Sequence, residues 1–115
     1  MGEEITTLGS IHISPKAVAT IAYHATLQSY GVVGLAPKNL AEGLSIIKDP
    51  ARGVAVTYED DQLVIDIHVI IEYGTRITSV ADSIVNTVRY NVEKVLGMRV
   101  NEINIHIHDL HVSTD

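Results

Sequence analysis

Histidines are the side chains of this 115-residue chain that could most readily do chemistry, because it has no cysteine. The six histidines are His12, His24, His68, His106, His108 and His111. His106 and His108 are two residues apart in a segment that alternates like a strand, so both imidazoles share one face, about 7 Å apart. His12 and His68 would join them if their strands are neighbours. Such a cluster could bind zinc, nickel or copper, or titrate near neutral pH.

A solvated strand face explains the same histidines without any metal. Asn104, His106 and His108 alternate as the outer positions of a half-buried strand require. We therefore predict no metal site and no cofactor. Should a metal bind, its candidate ligands are His12, His68, His106 and His108.

Catalytic arrangements are not evident in the sequence. His108 and Asp109 are neighbours, so on a strand their side chains point apart. No serine occupies a nucleophile elbow, and no glycine-rich loop precedes a Lys-Ser or Lys-Thr pair. We predict that the protein is not an enzyme.

The segment Gly31-Val32-Val33-Gly34 has the spacing of the GxxG loop with which KH domains clamp a nucleic-acid backbone. Its two central residues are valines, whereas such loops usually carry lysine or arginine there. We interpret Gly31 as the cap of a preceding helix, and Val32 and Val33 as a hydrophobic anchor or a protein contact. A KH-like nucleic-acid-binding module and a His-rich metal-binding domain stay open as alternatives.

Composition indicates one domain with an aliphatic core, since the chain has no Phe or Trp and only five Tyr. Its formal net charge of −6 opposes binding to nucleic acid and to anionic lipid. The N-terminus lacks the pattern of a secretion signal, and no apolar run approaches the roughly 20 residues that span a bilayer. We expect a cytoplasmic protein without direct membrane insertion.

Hydrophobic periodicity sets the order of the secondary structure elements. The predicted elements are a strand at 8–13, a helix at 15–30 capped by Ser14, an apolar turn at 31–35, a short helix at 37–47, a strand at 53–59, a strand at 62–73, a long helix at 76–96 and a strand at 99–108. The strands at 53–59 and 62–73 form a hairpin, and a bulge near Asp109 explains a change of parity.

This order predicts an α+β domain, β-α-(α)-β-β-α-β, with a mostly antiparallel four-stranded sheet and two long helices on one face. The first strand, at 8–13, belongs to that sheet. The face of the four-stranded sheet that the helices leave uncovered mixes valine and isoleucine with uncharged polar side chains, which a partner can desolvate at low cost. The predicted interaction surface consists of Val32, Val33, Val64, His68, Ile70, His106 and His108.

An ordered series of short motifs resembles the alkaline-shock, Gls-type envelope stress response family of Gram-positive bacteria. The motifs are Gly9-Ser10-Ile11-His12-Ile13-Ser14, a helix ending before Gly31-Val32, Gly53-Val54-Ala55-Val56, the strand from Val64 closed by Tyr73-Gly74, the long helix after it, and Val100-Asn101-Glu102-Ile103-Asn104-Ile105-His106-Ile107. The corresponding domain covers 8–112, with tails at 1–7 and 113–115.

The resemblance implies a cytoplasmic, non-enzymatic protein of cell-envelope homeostasis and stress response. It also implies protein partners, namely further copies of the chain in a homo-oligomer and a membrane-anchoring protein that would hold it at the membrane periphery. It supplies no catalytic residues.

Overall fold

The structure is a computed structural model that describes residues 3–5, 11–37, 46–47, 49–72 and 74–110. In chain order the elements are β1 (Glu3–Ile5), β2 (Ile11–Ile13), α1 (Pro15–Leu27), β3 (Val32–Leu35), α2 (Pro50–Gly53), β4 (Val54–Glu59), β5 (Gln62–Glu72), α3 (Ile77–Leu96) and β6 (Val100–Leu110). The fold is α+β with a four-stranded sheet, as predicted.

The central strand of that sheet is β5. Along one edge it pairs antiparallel with β4 over its first half and with β3 over its second half. Along the other edge it pairs with β6 over nearly its whole length, and this pairing is parallel. The parallel pair is possible because α3 carries the chain back across the sheet before β6 begins. Two of the three pairings are antiparallel, which agrees with a mostly antiparallel sheet.

The β4–β5 hairpin forms where the sequence predicts it. Its two turn residues, Asp60 and Asp61, have φ angles of 52° and 65°. Two successive residues with positive φ match the twist of the flanking strands, and aspartate tolerates this conformation better than most residues.

The two long helices pack on one face of the sheet. Ser14 caps α1 by accepting a hydrogen bond from the amide of Lys16 at 3.2 Å, and Gly97 ends α3 with φ 68°. A stripe of valines and an isoleucine on α3 is buried, and the alternate aliphatic residues of β5 complete the core. These residues are Val80, Ile84, Val88 and Val92 from α3, and Leu63, Ile65, Ile67, Val69 and Ile71 from β5.

The N-terminal strands differ from the prediction. The described part of the predicted strand at 8–13 is β2, and it pairs with β1 in a separate two-stranded sheet instead of joining the four-stranded one. Residues 3–5, which we assigned to a tail, supply its partner. The end of β2 contacts the main sheet through Tyr58, whose hydroxyl donates to the Ile13 carbonyl at 2.9 Å. The fourth strand of the larger sheet is β3 instead.

The predicted apolar turn at 31–35 is wrong, since this segment forms β3. Val32 pairs with Ile71 and Leu35 with Val69, with a bulge between Val32 and Gly34. A four-residue apolar run has too little periodicity to separate a strand from a turn, and only its distant partner β5 fixes it as a strand.

The predicted helix at 37–47 lies largely outside the described residues. At its end, Ile47 pairs with Leu35 in an isolated antiparallel bridge, with the Ile47 amide donating to the Leu35 carbonyl at 2.9 Å. The backbone at Ile47 is therefore an extension of the β3 edge.

The predicted bulge near Asp109 is also wrong. The β5–β6 register runs without a shift from Glu102 to Leu110, and the irregularity lies at Asn101, between the Leu63–Val100 and Val64–Glu102 pairs. Strand β6 consequently presents a regular edge over its last nine residues.

Candidate interaction surface

The parallel register of β5 and β6 gathers three of the predicted histidines on the outer face of the sheet, opposite the helices. His68 pairs with His106, and Ile70 pairs with His108. The His68 and His106 rings are stacked with their centroids 4.4 Å apart, and the His68 and His108 centroids are 5.7 Å apart. We call His68, His106 and His108 the histidine cluster.

Hydrogen-bonding contacts hold the histidine cluster in place. His68 Nδ1 lies 3.5 Å from His108 Nε2, and His106 Nε2 lies 3.2 Å from Asp66 Oδ1. Asp66 is thus the carboxylate that balances charge on this face when an imidazole is protonated. The pair remains partly exposed, so water screens much of its attraction.

The centre of the cluster disfavours a proton. Burial lowers the pKa of His68, and the neighbouring His106 and His108 lower that pKa further, while Asp66 opposes the shift. His68 is therefore held in its neutral form, in which one ring nitrogen donates and the other accepts a hydrogen bond.

Metal binding finds limited geometric support here. Within the described residues, no group of three or more His, Cys, Asp or Glu side chains is arranged to hold a metal ion. The stacked planes of His68 and His106 explain this, because the lone pairs of a ring nitrogen lie in the ring plane and parallel stacked rings do not aim at one point. His12 lies on β2, in the other sheet, and does not join the cluster through strand pairing.

Val64 and Ile70 lie on the outer face, as predicted, but they are not exposed. Their relative exposures are 4% and 2%. Val64 lies between Thr57 and Glu102, and Ile70 lies between Gly34 and His108, because β5 is flanked on both edges. Side chains of the flanking strands therefore cover both residues. Val64 and Ile70 lie beneath the surface of the outer face and are not accessible to a partner.

Ile46 adds a shield beside Ile70. A Cβ atom on Gly34, the partner of Ile70 on β3, would lie 2.8 Å from Ile46 Cγ2. Ile46 therefore lies directly over Gly34 while remaining 53% exposed. Nearby, Val33 is 38% exposed at the β3 bulge, whereas Val32 packs against the core. Ile46 therefore makes this end of the outer face apolar, and Val33 is an exposed apolar side chain at the adjoining bulge.

Strand β6 is a feature of the surface that the sequence did not reveal. Its inward residues Ile103, Ile105 and Ile107 pack against the core but are only partly buried. Their alternation predicts that they face the helices, but only the strand order shows that they lie at the rim of the helical layer. Knowing which strand pairs with β6 would have identified this edge, but strand order cannot be deduced from one sequence.

A shallow depression of about 620 Å³ lies where β5 and β6 begin. It is lined by Asp61, Gln62, Arg89, Met98, Arg99, Val100 and Asn101. The Arg89 guanidinium donates to the Val100 carbonyl and lies 3.7 Å from Glu93 Oε2, which itself accepts the Val100 amide. Arg89 therefore ties α3 to the start of β6.

No helix among the described residues combines the length and apolar character needed to cross a membrane.

Comparison with known proteins identifies a family that this chain matches. The model of the alkaline-shock protein 23 family, described as having a cell envelope-related function, matches residues 3–112. The chain is 37% identical over 112 residues to the protein YloU of Bacillus subtilis strain 168, covering 94% of this chain and 93% of YloU. It is 30% identical over 119 residues to YqhY of the same organism, covering 99% of this chain and 86% of YqhY.

Solved structures support the fold independently. The copper form of the MamM CTD superimposes with a TM-score of 0.51 at 14% sequence identity, covering 86% of this chain and 89% of the MamM chain. At this identity the likeness shows that the two chains share a fold.

Proposed function

The chain belongs to the alkaline-shock protein 23 family, which has a cell envelope-related function, and on this basis we propose that it acts without catalysis, through protein–protein contacts. In this proposal the protein self-associates, serves cell-envelope homeostasis and stress response, and reaches the membrane from the cytoplasm by binding an anchoring partner. The observation that carries the proposal is the regular edge of β6, which the described strands leave uncovered.

The edge of β6 supports protein contact because an uncovered strand edge presents free backbone amides and carbonyls. Within the described part of the chain, β6 pairs only with β5. The half-buried row of Ile103, Ile105 and Ile107 would gain burial if a partner covered this edge. Each newly buried methylene contributes roughly 0.8 kcal/mol to association.

The outer face supports the same proposal through its low desolvation cost. Imidazoles at His68 and His106 and an amide at Asn104 occupy positions where lysine or glutamate would make this face more costly to desolvate. The lowered pKa of His68 keeps the centre of this face uncharged.

The non-catalytic part of the proposal is supported by the depression at the start of β5 and β6. Arg89, its central cation, is engaged by the Val100 carbonyl and by Glu93. Its lining contains no Ser, Thr or Lys side chain that could attack a substrate to form a covalent intermediate.

The KH-like alternative loses the feature that suggested it. Its clamp requires a loop between two helices, whereas residues 32–35 form β3 and hydrogen-bond to β5. The Val32 amide donates to the Ser29 carbonyl at 3.4 Å and the Ala36 amide donates to the His68 carbonyl at 2.9 Å, so these amides are not arranged to hold a phosphate.

Sedimentation equilibrium over a wide concentration range tests the proposal. We expect the mass to rise above the 12.5 kDa of one chain as concentration increases. Ile107→Lys on β6 should suppress this rise, whereas Val95→Lys, at a residue of α3 that is 62% exposed, should not. A monomer at every concentration, together with no retention by any membrane protein, would contradict the proposal.

A further inference from the structure

We propose that two copies of the chain pair through their β6 strands, antiparallel and about a two-fold axis that passes through Ile105, so that the two sheets become one. This inference rests on the proposed function and narrows it to one surface and one partner, a second copy of the chain. It follows from the position of β6 in the sheet and from the order of residues along that strand.

The edge of β6 is unusually well suited to pairing. It is eleven residues long and regular from Glu102 onward, and the described strands leave its outer edge uncovered. Edge strands of monomeric proteins are commonly blunted by lysine, proline or a central bulge. Val100–Leu110 contains no lysine, arginine or proline, and its bulge lies at Asn101, near the end of the strand.

The inward row of β6 matches itself in this register. Antiparallel pairing centred on Ile105 sets Ile105 opposite its own copy and Ile103 opposite Ile107 of the other copy. All three isoleucines thus meet isoleucines. Because each is only partly buried by α3, the second copy would complete the cover that one chain lacks.

The outward row of β6 is complementary in the same register. Glu102 falls opposite His108 of the other copy, and Asn104 falls opposite His106. Two-fold symmetry creates each pair twice, so a carboxylate meets an imidazole at both ends of the junction. At directly facing positions an imidazole N–H can donate a hydrogen bond to a carboxylate, whereas like charges destabilise a pair of strands.

Neighbouring registers are less favourable. If the axis passed through His106, two imidazoles would face each other and Glu102 would lose its histidine. If the axis passed through Asn104, Glu102 would face His106, but Ile107 would face the polar Asn101 at the bulge. Only the register centred on Ile105 keeps the aliphatic row and the Glu–His pairs together. A pairing of this kind also closes on itself, which predicts a dimer at this edge.

Single cysteines test the register, because the chain has none of its own. Facing Cα atoms of antiparallel strands lie about 4.5–5.5 Å apart, within the range of a disulfide. We expect Ile105→Cys to form a disulfide-linked dimer under mild oxidation. Ile103→Cys is the matched control, since position 103 would lie roughly 13 Å from its own copy, too far to be bridged.

A charge exchange tests the same register without a covalent bond. Glu102→Lys should raise the dissociation constant about tenfold, because two imidazoles would then face lysines. His108→Glu should have a similar effect by opposing two pairs of glutamates. The double variant Glu102→Lys with His108→Glu sets lysine opposite glutamate in both pairs and should recover the original constant. Glu59→Lys, on β4, makes the same change of charge away from β6 and should leave the constant unchanged.

The outcomes separate this inference from the proposed function. Crosslinking of Ile105→Cys together with rescue by the double variant supports the β6 junction. Self-association that persists in Ile107→Lys, without crosslinking at position 105, would overturn the junction while leaving a protein-contact function intact. A chain that stays monomeric would overturn both the junction and the self-association that it explains. Circular dichroism spectra identical to that of the original chain establish that each variant is folded.

Discussion

Single residues on the outer face show that strand pairing, and not sequence position alone, determines which side chains interact and how readily they bind protons. His68, His106 and His108 are ordinary histidines until the β5–β6 register places the other two rings 4.4 and 5.7 Å from that of His68. The register then couples them, because a proton on one disfavours a proton on the next. Asp66 is the carboxylate within reach of the cluster, through His106.

The pH dependence of stability should report this coupling. Burial, His106 and His108 lower the pKa of His68 in the folded chain below the value of about 6.5 that it has when unfolded. The unfolded chain therefore binds more protons at mildly acid pH, and the stability that His68 contributes is present above about pH 6.5 and lost as pH falls toward its folded pKa. We expect His68→Gln to flatten the decline of the unfolding free energy between neutral and mildly acid pH.

Urea denaturation at a series of pH values measures this slope. His24→Gln, at an exposed position on α1, removes one histidine without touching the cluster and should retain the decline. If His68→Gln left the decline as steep as before, the coupling would have no part in the stability of the fold.

Elements differ in how far the sequence determines them. The β4–β5 hairpin and α3 are long enough to show a clear hydrophobic periodicity, so the sequence predicts them together with their turn and cap residues. Strand β3 is four residues long and depends on a partner more than thirty positions later, so its sequence suggests a turn equally well. The alternation of residues along β5 correctly predicts that Val64 and Ile70 lie on the outer face. Their burial depends on the flanking strands, and the order of those strands cannot be deduced from a local sequence pattern. The histidine cluster was predictable as a face, whereas the edge of β6 was not.

The junction between α1 and β3 shows an element boundary that tertiary packing has fixed. Gly31 has φ 87°, and a Cβ atom there would lie 2.8 Å from Val80 Cγ2 and 2.9 Å from Thr75 Cγ2. Glycine is required for the backbone angle and again for the close approach to the start of α3.

Replacing this glycine should therefore cost more than backbone strain alone. Gly97 offers a matched control, because its φ is 68° and nothing lies within 4 Å of a Cβ built there. We expect Gly97→Ala to lower the free energy of unfolding by about 1 kcal/mol, the cost of a left-handed alanine. Gly31→Ala should cost about 1–3 kcal/mol more, from the added overpacking. Equal losses in chemical denaturation would show that α3 moves aside freely.

The molecule as a whole combines an acidic charge with one helix-covered face and one face that the described elements leave open. The helices cover the aliphatic core on one side, so the outer face and the β6 edge are the surfaces that we propose for contacts with other proteins. A net charge of −6 at pH 7 sets the class of surface that the open face can approach. Anionic phospholipid repels such a chain, so the proposed recruitment to the membrane calls for a partner protein.

Vesicle flotation tests this division of roles. We expect the purified chain to remain in the protein fraction when mixed with phosphatidylglycerol vesicles, even at low salt, where any basic patch would act most strongly. Vesicles of uncharged phosphatidylcholine are the control, and the chain should behave identically with both, because a net charge of −6 gives it no electrostatic attraction to either. Flotation with the anionic vesicles alone would show that a basic surface outweighs the net charge. The chain would then bind the membrane without an anchoring partner. In our proposal, self-association through β6 and membrane recruitment by a second protein are therefore separate events, and vesicle flotation tests the second without depending on the first.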